Sequence, residues 1–226
     1  MECLLSWIAP RICLLCGDPL ARSQGIPLCQ DCALKIEVLK GPRCSICGRS
    51  LFSESGTCYE CRDLSSPLLL VHPLFAYRGE AAELLRLYKA RGRVSLAPFW
   101  ADLLTPSLER RHDWAIVPVP PRQDKMRKGI PDQVEAIAAI LERRGFQVSR
   151  ILERLSSDQQ KKLDKEARKS NAEKSYALSP KATRPLPRRA LLLDDVVTTG
   201  ATLRSCARAL REGGCEEVEA LALAYD

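Results

Sequence analysis

Two adjacent acidic residues at the end of an apolar run carry the most specific chemistry in this chain of 226 residues. Asp194 and Asp195 follow Ala190–Leu193, a run that predicts a buried strand. A short turn comes next, and Leu203–Arg211 has the spacing of an amphipathic helix. The turn therefore lies at a helix N-terminus, where unpaired backbone N–H groups and the helix dipole favour phosphate. Carboxylates beside it accept hydrogen bonds from sugar hydroxyls or coordinate Mg²⁺, so a phosphorylated sugar fits both halves of the site.

The turn after the acid pair is made of small and hydroxyl-bearing residues. Threonine hydroxyls donate hydrogen bonds to phosphate oxygens, and glycine lets a phosphate approach the backbone closely. Adjacent acids followed by Thr-Thr-Gly are unusual after a buried strand, which disfavours the alternative of an ordinary strand–turn–helix with an aspartate cap. The Gly-Lys-Ser/Thr ending of a Walker A loop is absent. The predicted phosphate-sugar site comprises Asp194, Asp195, Val196, Val197, Thr198, Thr199, Gly200, Ala201 and Thr202.

Eight of the eleven cysteines form four Cys-x-x-Cys pairs near the N-terminus. Two such pairs supply the four thiolates that hold Zn²⁺ in a tetrahedron. The regular spacing favours zinc over an iron–sulfur cluster, and no export signal favours disulfides. The repeat spacing suggests tandem ribbons, in which neighbouring pairs share a metal. A cross-braced arrangement, in which the first pair joins the third and the second joins the fourth, uses the same residues and stays open. The predicted zinc ligands are Cys13, Cys16, Cys29, Cys32, Cys44, Cys47, Cys58 and Cys61.

Composition and charge limit the class of protein. With 46% hydrophobic residues the chain can form a core, and no apolar run is long enough to span a bilayer. The N-terminus lacks the basic start and cleavage site of a signal peptide, so we expect a cytoplasmic protein. The net charge is +7, and residues 158–189 contain ten Lys or Arg against four acidic residues. Such a segment faces nucleic acid, neutralises a polyphosphate ligand or forms a solvated helix face, and composition leaves these alternatives open.

The elements that position these residues alternate between strands and helices, which predicts an α/β fold with a mostly parallel sheet flanked by helices. The predicted strands are Leu68–Tyr77, Trp114–Val119, Gln147–Leu152, Ala190–Leu193 and Val218–Ala224. The predicted helices are Glu80–Lys89, Leu96–Arg110, Val134–Arg144, Lys161–Asn171 and Leu203–Arg211. We therefore expect a small N-terminal zinc-ribbon module in residues 1–66 and an α/β domain in residues 67–226.

Three further segments accompany the cysteine pairs and the acid–threonine loop. They are Pro118-Val119-Pro120 with its basic tail, the array from Gln160 to Tyr176, and Leu84–Gly92. In this combination the chain resembles the ComF (ComFC) family, which joins an N-terminal zinc ribbon to a type I phosphoribosyltransferase domain. The resemblance covers nearly the whole chain. It departs at Lys128–Gln133, where the family usually has Arg-Gly-Phe-Asn-Gln, so roles of that phenylalanine and asparagine do not transfer.

The resemblance implies that the chain binds PRPP with Mg²⁺ and acts on single-stranded DNA in natural competence and DNA uptake, with other competence proteins as partners. It implies catalytic roles for Asp194 and Asp195. The loop after the Pro118-Val119-Pro120 strand would contact pyrophosphate, which adds Arg122 and, as a further candidate, Lys89 to the PRPP-binding residues. The predicted nucleic-acid-binding residues are Lys161, Lys162, Arg168 and Asn171. No segment identifies an acceptor, so an active phosphoribosyltransferase acting on a nucleobase or amine, and a ligand-sensing adaptor, stay open as alternatives.

Overall fold

A four-stranded parallel sheet lies at the centre of the C-terminal part of the protein. The computed structural model describes residues 11–21, 26–52, 56–90, 94–121, 131–155 and 175–226. The helices in these ranges are α1 Gln30–Leu34, α2 Gly79–Ala90, α3 Ala97–Glu109, α4 Gln133–Arg143 and α5 Ala201–Glu212, with short 3₁₀ helices at Tyr59–Cys61 and Val94–Leu96. The strands are β1 Val71–Ala76, β2 Ala115–Pro118, β3 Leu152–Arg154, β4 Tyr176–Leu178, β5 Arg189–Val197 and β6 Glu217–Tyr225.

The strand order of the sheet is β1-β6-β5-β2, and all three pairings are parallel. The register places Leu193 of β5 opposite Leu221 of β6, and Val197 opposite Tyr225. Parallel strands end at the same edge of a sheet, so the residues that follow β5 lie beside the end of β6. The predicted α/β fold with a parallel sheet flanked by helices is confirmed.

Helices cover both faces of the sheet because the strands are apolar on both faces. Leu191 and Leu193 pack in the same buried cluster as residues of α2, α3 and α4, whereas Ala190 and Leu192 pack with α5. Successive side chains of a strand point to opposite faces, so a continuous apolar run supplies two layers of core. Each fully buried leucine contributes about 2 kcal/mol through removal of apolar surface from water.

Strand β5 is longer than the predicted strand Ala190–Leu193 and includes the acid pair. It ends at Val197, because Asp194 pairs with Ala222 and Val196 with Ala224 of β6. The acids therefore belong to the end of the strand, and the turn that follows is limited to residues 198–200. This corrects the expected boundary and fixes which way each carboxylate points.

The predicted strand Gln147–Leu152 is largely wrong. Val148 forms a single parallel bridge with Ile116, and the regular strand β3 begins only at Leu152, where it pairs antiparallel with β4. Between the bridge and β3, the guanidinium of Arg150 pairs with Glu135 and Glu142 of α4, so this segment contacts that helix. No strand was expected at β4.

The other expected strands and helices within the described ranges occur with ends shifted by at most three residues. The predicted basic helix Lys161–Asn171 and the pyrophosphate candidate Arg122 lie outside the described residues. None of the helices in the described part of the chain has the length and apolar character needed to cross a membrane.

The N-terminal cysteine pairs are held in two copies of one local motif. Around the first pair of each copy, an antiparallel bridge closes a tight turn, Ile12 with Pro19 and Arg43 with Ser50. Each turn contains a glycine of positive φ, +82° and +80°, whose N–H donates to the carbonyl of the first cysteine, Cys13 or Cys44. Glycine is favoured there because other residues are strained in this conformation. The repeat confirms a zinc-ribbon module at the N-terminus.

Candidate functional site

The turn between β5 and α5 forms the predicted phosphate loop at a helix N-terminus. Gly200 caps α5 with φ +70°, a conformation that glycine adopts without strain. Thr198 and Thr199 are exposed, and the Thr199 Oγ1 accepts a hydrogen bond from the N–H of Ala201 at 3.4 Å. Exposed hydroxyls and helix N–H groups thus occur together, which is the arrangement that binds a phosphate group.

The two acids at the end of β5 point to opposite faces of the sheet because they are consecutive in a strand. The Asp195 Oδ2 lies 3.0 Å from the Nζ of Lys89 at the end of α2. Asp194 lies on the α5 side, where its charge acts on the buried Cys206. The Asp194 Oδ1 also accepts a hydrogen bond from the N–H of Asp195 at 2.8 Å. Burial, reinforced by the neighbouring carboxylate of Asp195, raises the pKa of Asp194 to about 7.

A third carboxylate, Asp132, joins this acidic group and was missed as a site residue. Its Oδ1 caps α4 by accepting a hydrogen bond from the N–H of Val134 at 3.0 Å. Burial raises the pKa of Asp132, and the charge of Asp195 acts in the same direction. In the sequence, Asp132 stands directly before a predicted helix, in the segment that departs from the ComF pattern. That position is explained equally well by an ordinary helix cap.

Hydrogen bonds join the C-terminal end of α2 to the N-terminal end of α4, close to the acids. The hydroxyl of Tyr88 donates to the carbonyl of Gln133 at 2.6 Å, and the Gln133 Nε2 donates to the carbonyl of Lys89 at 3.3 Å. Both Tyr88 and Gln133 are buried, so these bonds satisfy polar groups that water cannot reach. They hold Lys89 beside Asp195.

The structure brings most of the predicted phosphate-sugar residues to one edge of the sheet. Val196 and Val197 end β5, Gly200 is buried in the turn, and Ala201 and Thr202 form the exposed first turn of α5. Lys89 arrives there from a distant part of the sequence. The remaining predicted residues Arg122, Lys161, Lys162, Arg168 and Asn171 lie outside the described residues.

The eight paired cysteines form two separate clusters. Cys13, Cys16, Cys29 and Cys32 make the first, and Cys44, Cys47, Cys58 and Cys61 the second; in each, all four sulfur atoms lie within 4.8 Å of one another. The grouping is tandem, so the cross-braced alternative does not describe this structure. Four clustered thiols are the donor set of a structural Zn²⁺ site, and these cysteines fit that ion.

Backbone N–H groups prepare one cysteine of each cluster for metal binding. Burial opposes ionisation of Cys13, but the N–H groups of Cys16 and Cys29 outweigh it and lower its pKa to about 6. Burial likewise opposes ionisation of Cys44, and N–H groups of Cys58 and Cys47 lower its pKa to about 7. A thiolate is the form that ligates zinc, so these bonds favour the ligating state.

Both parts of the chain match families of known proteins. Residues 4–62 match the model of the double zinc ribbon domain, and residues 135–226 match that of the phosphoribosyl transferase domain. The competence protein ComFC of Streptococcus pneumoniae (strain ATCC BAA-255 / R6) is 25% identical over 224 residues, which cover 93% of this chain and 98% of that protein. The competence protein ComFC of Bacillus subtilis (strain 168) is 24% identical over 222 residues, 90% of each chain. Both cysteine clusters fall in the first matched range and the phosphate loop in the second; the boundary expected after residue 66 stays a prediction.

Proposed function

We propose that this chain, a member of the ComF family, binds PRPP with Mg²⁺ at the β5–α5 loop and acts on single-stranded DNA during natural competence. The observation that carries the proposal is the meeting of the acid pair and the N-terminus of α5 at one edge of the sheet. Thiols clustered for metal binding also favour a cytoplasmic location, because that compartment keeps thiols reduced.

A phosphoribosyl ligand fits the two halves of this site. Its phosphate would accept hydrogen bonds from the loop N–H groups and from Thr198 and Thr199, and its ribose hydroxyls would donate to Asp194 or Asp195. Lys89 balances one carboxylate at 3.0 Å, whereas burial, reinforced by the charge of Asp195, raises the pKa of Asp194 to about 7. Carboxylate oxygens suit Mg²⁺, which when bound would supply the missing positive charge.

Ligand-induced stabilisation tests the PRPP part of the proposal. At a PRPP concentration of a hundred times Kd, binding to the folded chain raises the free energy of unfolding by about 2.7 kcal/mol. We expect that increase in denaturation curves recorded with Mg²⁺ and PRPP. ATP at the same concentration is the control, since it carries a triphosphate but no ribose 1-pyrophosphate. Equal stabilisation by ATP, or none by PRPP, would contradict the proposal.

The DNA part is supported by the names of the competence relatives and by the net charge of +6 over residues 158–189. We expect single-stranded oligonucleotides to bind with an affinity that falls steeply with salt, and Lys161→Glu, Lys162→Glu and Arg168→Glu together to reduce both affinity and salt dependence. The matched control reverses the same number of charges at the exposed residues Lys35, Lys40 and Arg110. Equal loss of DNA affinity in both triple variants would show that net charge alone is responsible. It would contradict the proposal that residues 158–189 bind DNA.

An active phosphoribosyltransferase is the second candidate, and the phosphoribosyl transferase domain match favours it. Such an enzyme would release pyrophosphate from PRPP when offered its acceptor. A panel of nucleobases and amines, with pyrophosphate as the readout, tests it. Saturable PRPP binding without release across the panel would remove this candidate and leave binding.

A further inference from the structure

The second zinc ribbon contacts the phosphate loop directly. A Cβ placed on Gly200 would lie 3.3 Å from the carbonyl oxygen of Ile46 and 3.8 Å from the Cα of Cys47. Ile46 lies between two ligands of the second cysteine cluster, Cys44 and Cys47. The backbone of the metal site thus lies close to Gly200, the residue that caps α5. Tyr225, which pairs with Val197 directly before the loop, also packs against these cysteines.

A cleft of about 330 Å³ opens between this ribbon and the phosphate loop. Thr198, Thr199 and Arg204 line it from the loop and α5, and Arg49 and Glu60 line it from the ribbon. Tyr225 and Asp226 line it from the end of β6 and the residue that follows. The exposed threonine hydroxyls of the loop therefore face a space that the ribbon helps to enclose. This cleft is the volume beside the loop in which a phosphate would be held.

Arg49 is fixed in place by contacts that leave donors available. Its Nε donates to the Tyr225 hydroxyl at 2.8 Å, and its two terminal nitrogens donate to the Glu60 carboxylate at 3.0 and 2.9 Å. A guanidinium has five N–H groups, so these three bonds leave two for a ligand. The side chain remains 41% exposed, on the cleft side of the ribbon.

Arg204 places a positive charge near the N-terminus of α5, in the lining of the same cleft. It lies at the end of the first turn of α5, where the helix dipole disfavours a cation, and this turn contains no acidic residue. Its guanidinium donates to the carbonyl of Thr199 at 2.7 Å, which holds it over the loop. A phosphate in the cleft would neutralise both the dipole and the guanidinium.

We propose that the second zinc ribbon is part of the ligand site, in which Arg49 of the ribbon and Arg204 of α5 bind the phosphate of the phosphoribosyl ligand from opposite walls. This inference rests on the proposed function and adds to it a role for the ribbon beyond stabilising the fold. The second zinc site thereby positions a ligand-binding residue, and the two matched domains share one site.

Calorimetry with ribose 5-phosphate and with PRPP tests the inference on the full zinc-loaded chain. Arg49→Ala and Arg204→Ala each lose a charge-assisted hydrogen bond to phosphate, so each should weaken binding by about tenfold or more. Two control variants come from the same elements. Arg62→Ala removes a ribbon arginine that lies over Tyr59, and Arg208→Ala removes the arginine one helical turn further along α5, which lines a different groove. Both controls should bind like the wild type.

A variant that strengthens binding distinguishes contact from structural support. Glu60→Gln removes a carboxylate from the cleft and releases Arg49, so affinity for ribose 5-phosphate should rise by about threefold. A ribbon that only supports the fold predicts no change or a loss. Native mass spectrometry checks that each variant retains both metals. If Arg49→Ala loses a metal, the affinity of Glu60→Gln still distinguishes ligand contact from structural support.

The two levels of the proposal fail in different ways. If wild-type protein binds neither probe, the proposed function and this inference are both wrong. If wild-type protein binds PRPP while Arg49→Ala and Glu60→Gln bind within twofold of it, the proposed function stands and the ribbon has no part in the site.

Discussion

Among single residues, the two acids at the end of β5 differ in their surroundings. Asp195 has Lys89 at 3.0 Å, whereas burial and the charge of Asp195 raise the pKa of Asp194 to about 7. A buried carboxyl that resists ionisation is a cost to the fold and is typical of residues retained for binding or chemistry. At Asp194, therefore, the proposed role in ligand binding and the stability of the fold are in conflict.

This conflict predicts a dependence of stability on pH. The folded-state pKa of Asp194 lies above that of an unfolded carboxyl, so the folded chain holds a proton that the unfolded chain has released, and stability falls as pH rises toward and through 7. From pH 6 to pH 8 the free energy of unfolding of the wild type should fall by about 1 kcal/mol more than that of Asp194→Asn, which cannot ionise. Urea denaturation of both zinc-loaded proteins at these pH values measures the difference. If the free energy of unfolding changes equally with pH in both proteins, Asp194 does not have a raised pKa in the folded chain.

Site residues that lie close together in sequence were predictable, because the local pattern alone identifies them. Asp194, Thr199 and Gly200 follow from a strand, an acid pair and a turn within a dozen residues. The pairing of Lys89 with Asp195 was not predictable, because it depends on how α2 packs against the sheet. Asp132 was missed for a different reason, because its position directly before a helix is explained by capping without any ligand.

At the scale of elements, pairing decided the boundaries that periodicity left open. Strand β5 continues through the acids because β6 offers partners up to Tyr225, which lies opposite Val197. The antiparallel pair of β3 and β4 was not predictable, because two strands of three residues each show no usable alternation. Segments with long periodic patterns, such as α3 and α5, were predicted within three residues.

The turn that begins α5 yields a prediction about Gly200. Gly200→Ala places a side chain at φ +70° and against the carbonyl of Ile46, so it should destabilise the fold by about 1 kcal/mol and weaken PRPP binding. Gly145→Ala is the matched control, because Gly145 has φ +93° with no atom within 4 Å of an added Cβ. Both variants should lose similar stability in denaturation curves, but only Gly200→Ala should lose affinity. Unchanged PRPP affinity in Gly200→Ala would separate the turn from the site.

At the scale of the whole molecule, the two zinc ribbons are integrated into the fold in different ways. Cys13, Leu28 and Cys32 of the first ribbon belong to the same buried cluster as α2 and α3. The second ribbon forms its own cluster, with Tyr225 of β6 packed against it. Spacing predicted the ligands but not their pairing, because tandem and cross-braced arrangements use the same eight cysteines.

Zinc stoichiometry of two double variants tests the tandem pairing. Cys13→Ser with Cys29→Ser damages one cluster in the tandem arrangement and both in the cross-braced one, so we expect one zinc to remain. Cys13→Ser with Cys44→Ser reverses this logic and should abolish both sites. Native mass spectrometry of the folded proteins counts the ions. The opposite pattern would establish cross-bracing.

The acid pair and the α5 N-terminus are proposed to hold a phosphoribosyl ligand together with Mg²⁺. Isothermal titration calorimetry of zinc-loaded protein with PRPP, with and without Mg²⁺, tests it most directly. We predict saturable binding of one PRPP per chain, tightened at least about tenfold by Mg²⁺ and lost when Asp194→Asn and Asp195→Asn are combined. The absence of saturable binding to the wild type, or the same isotherm in the double variant, would contradict the account.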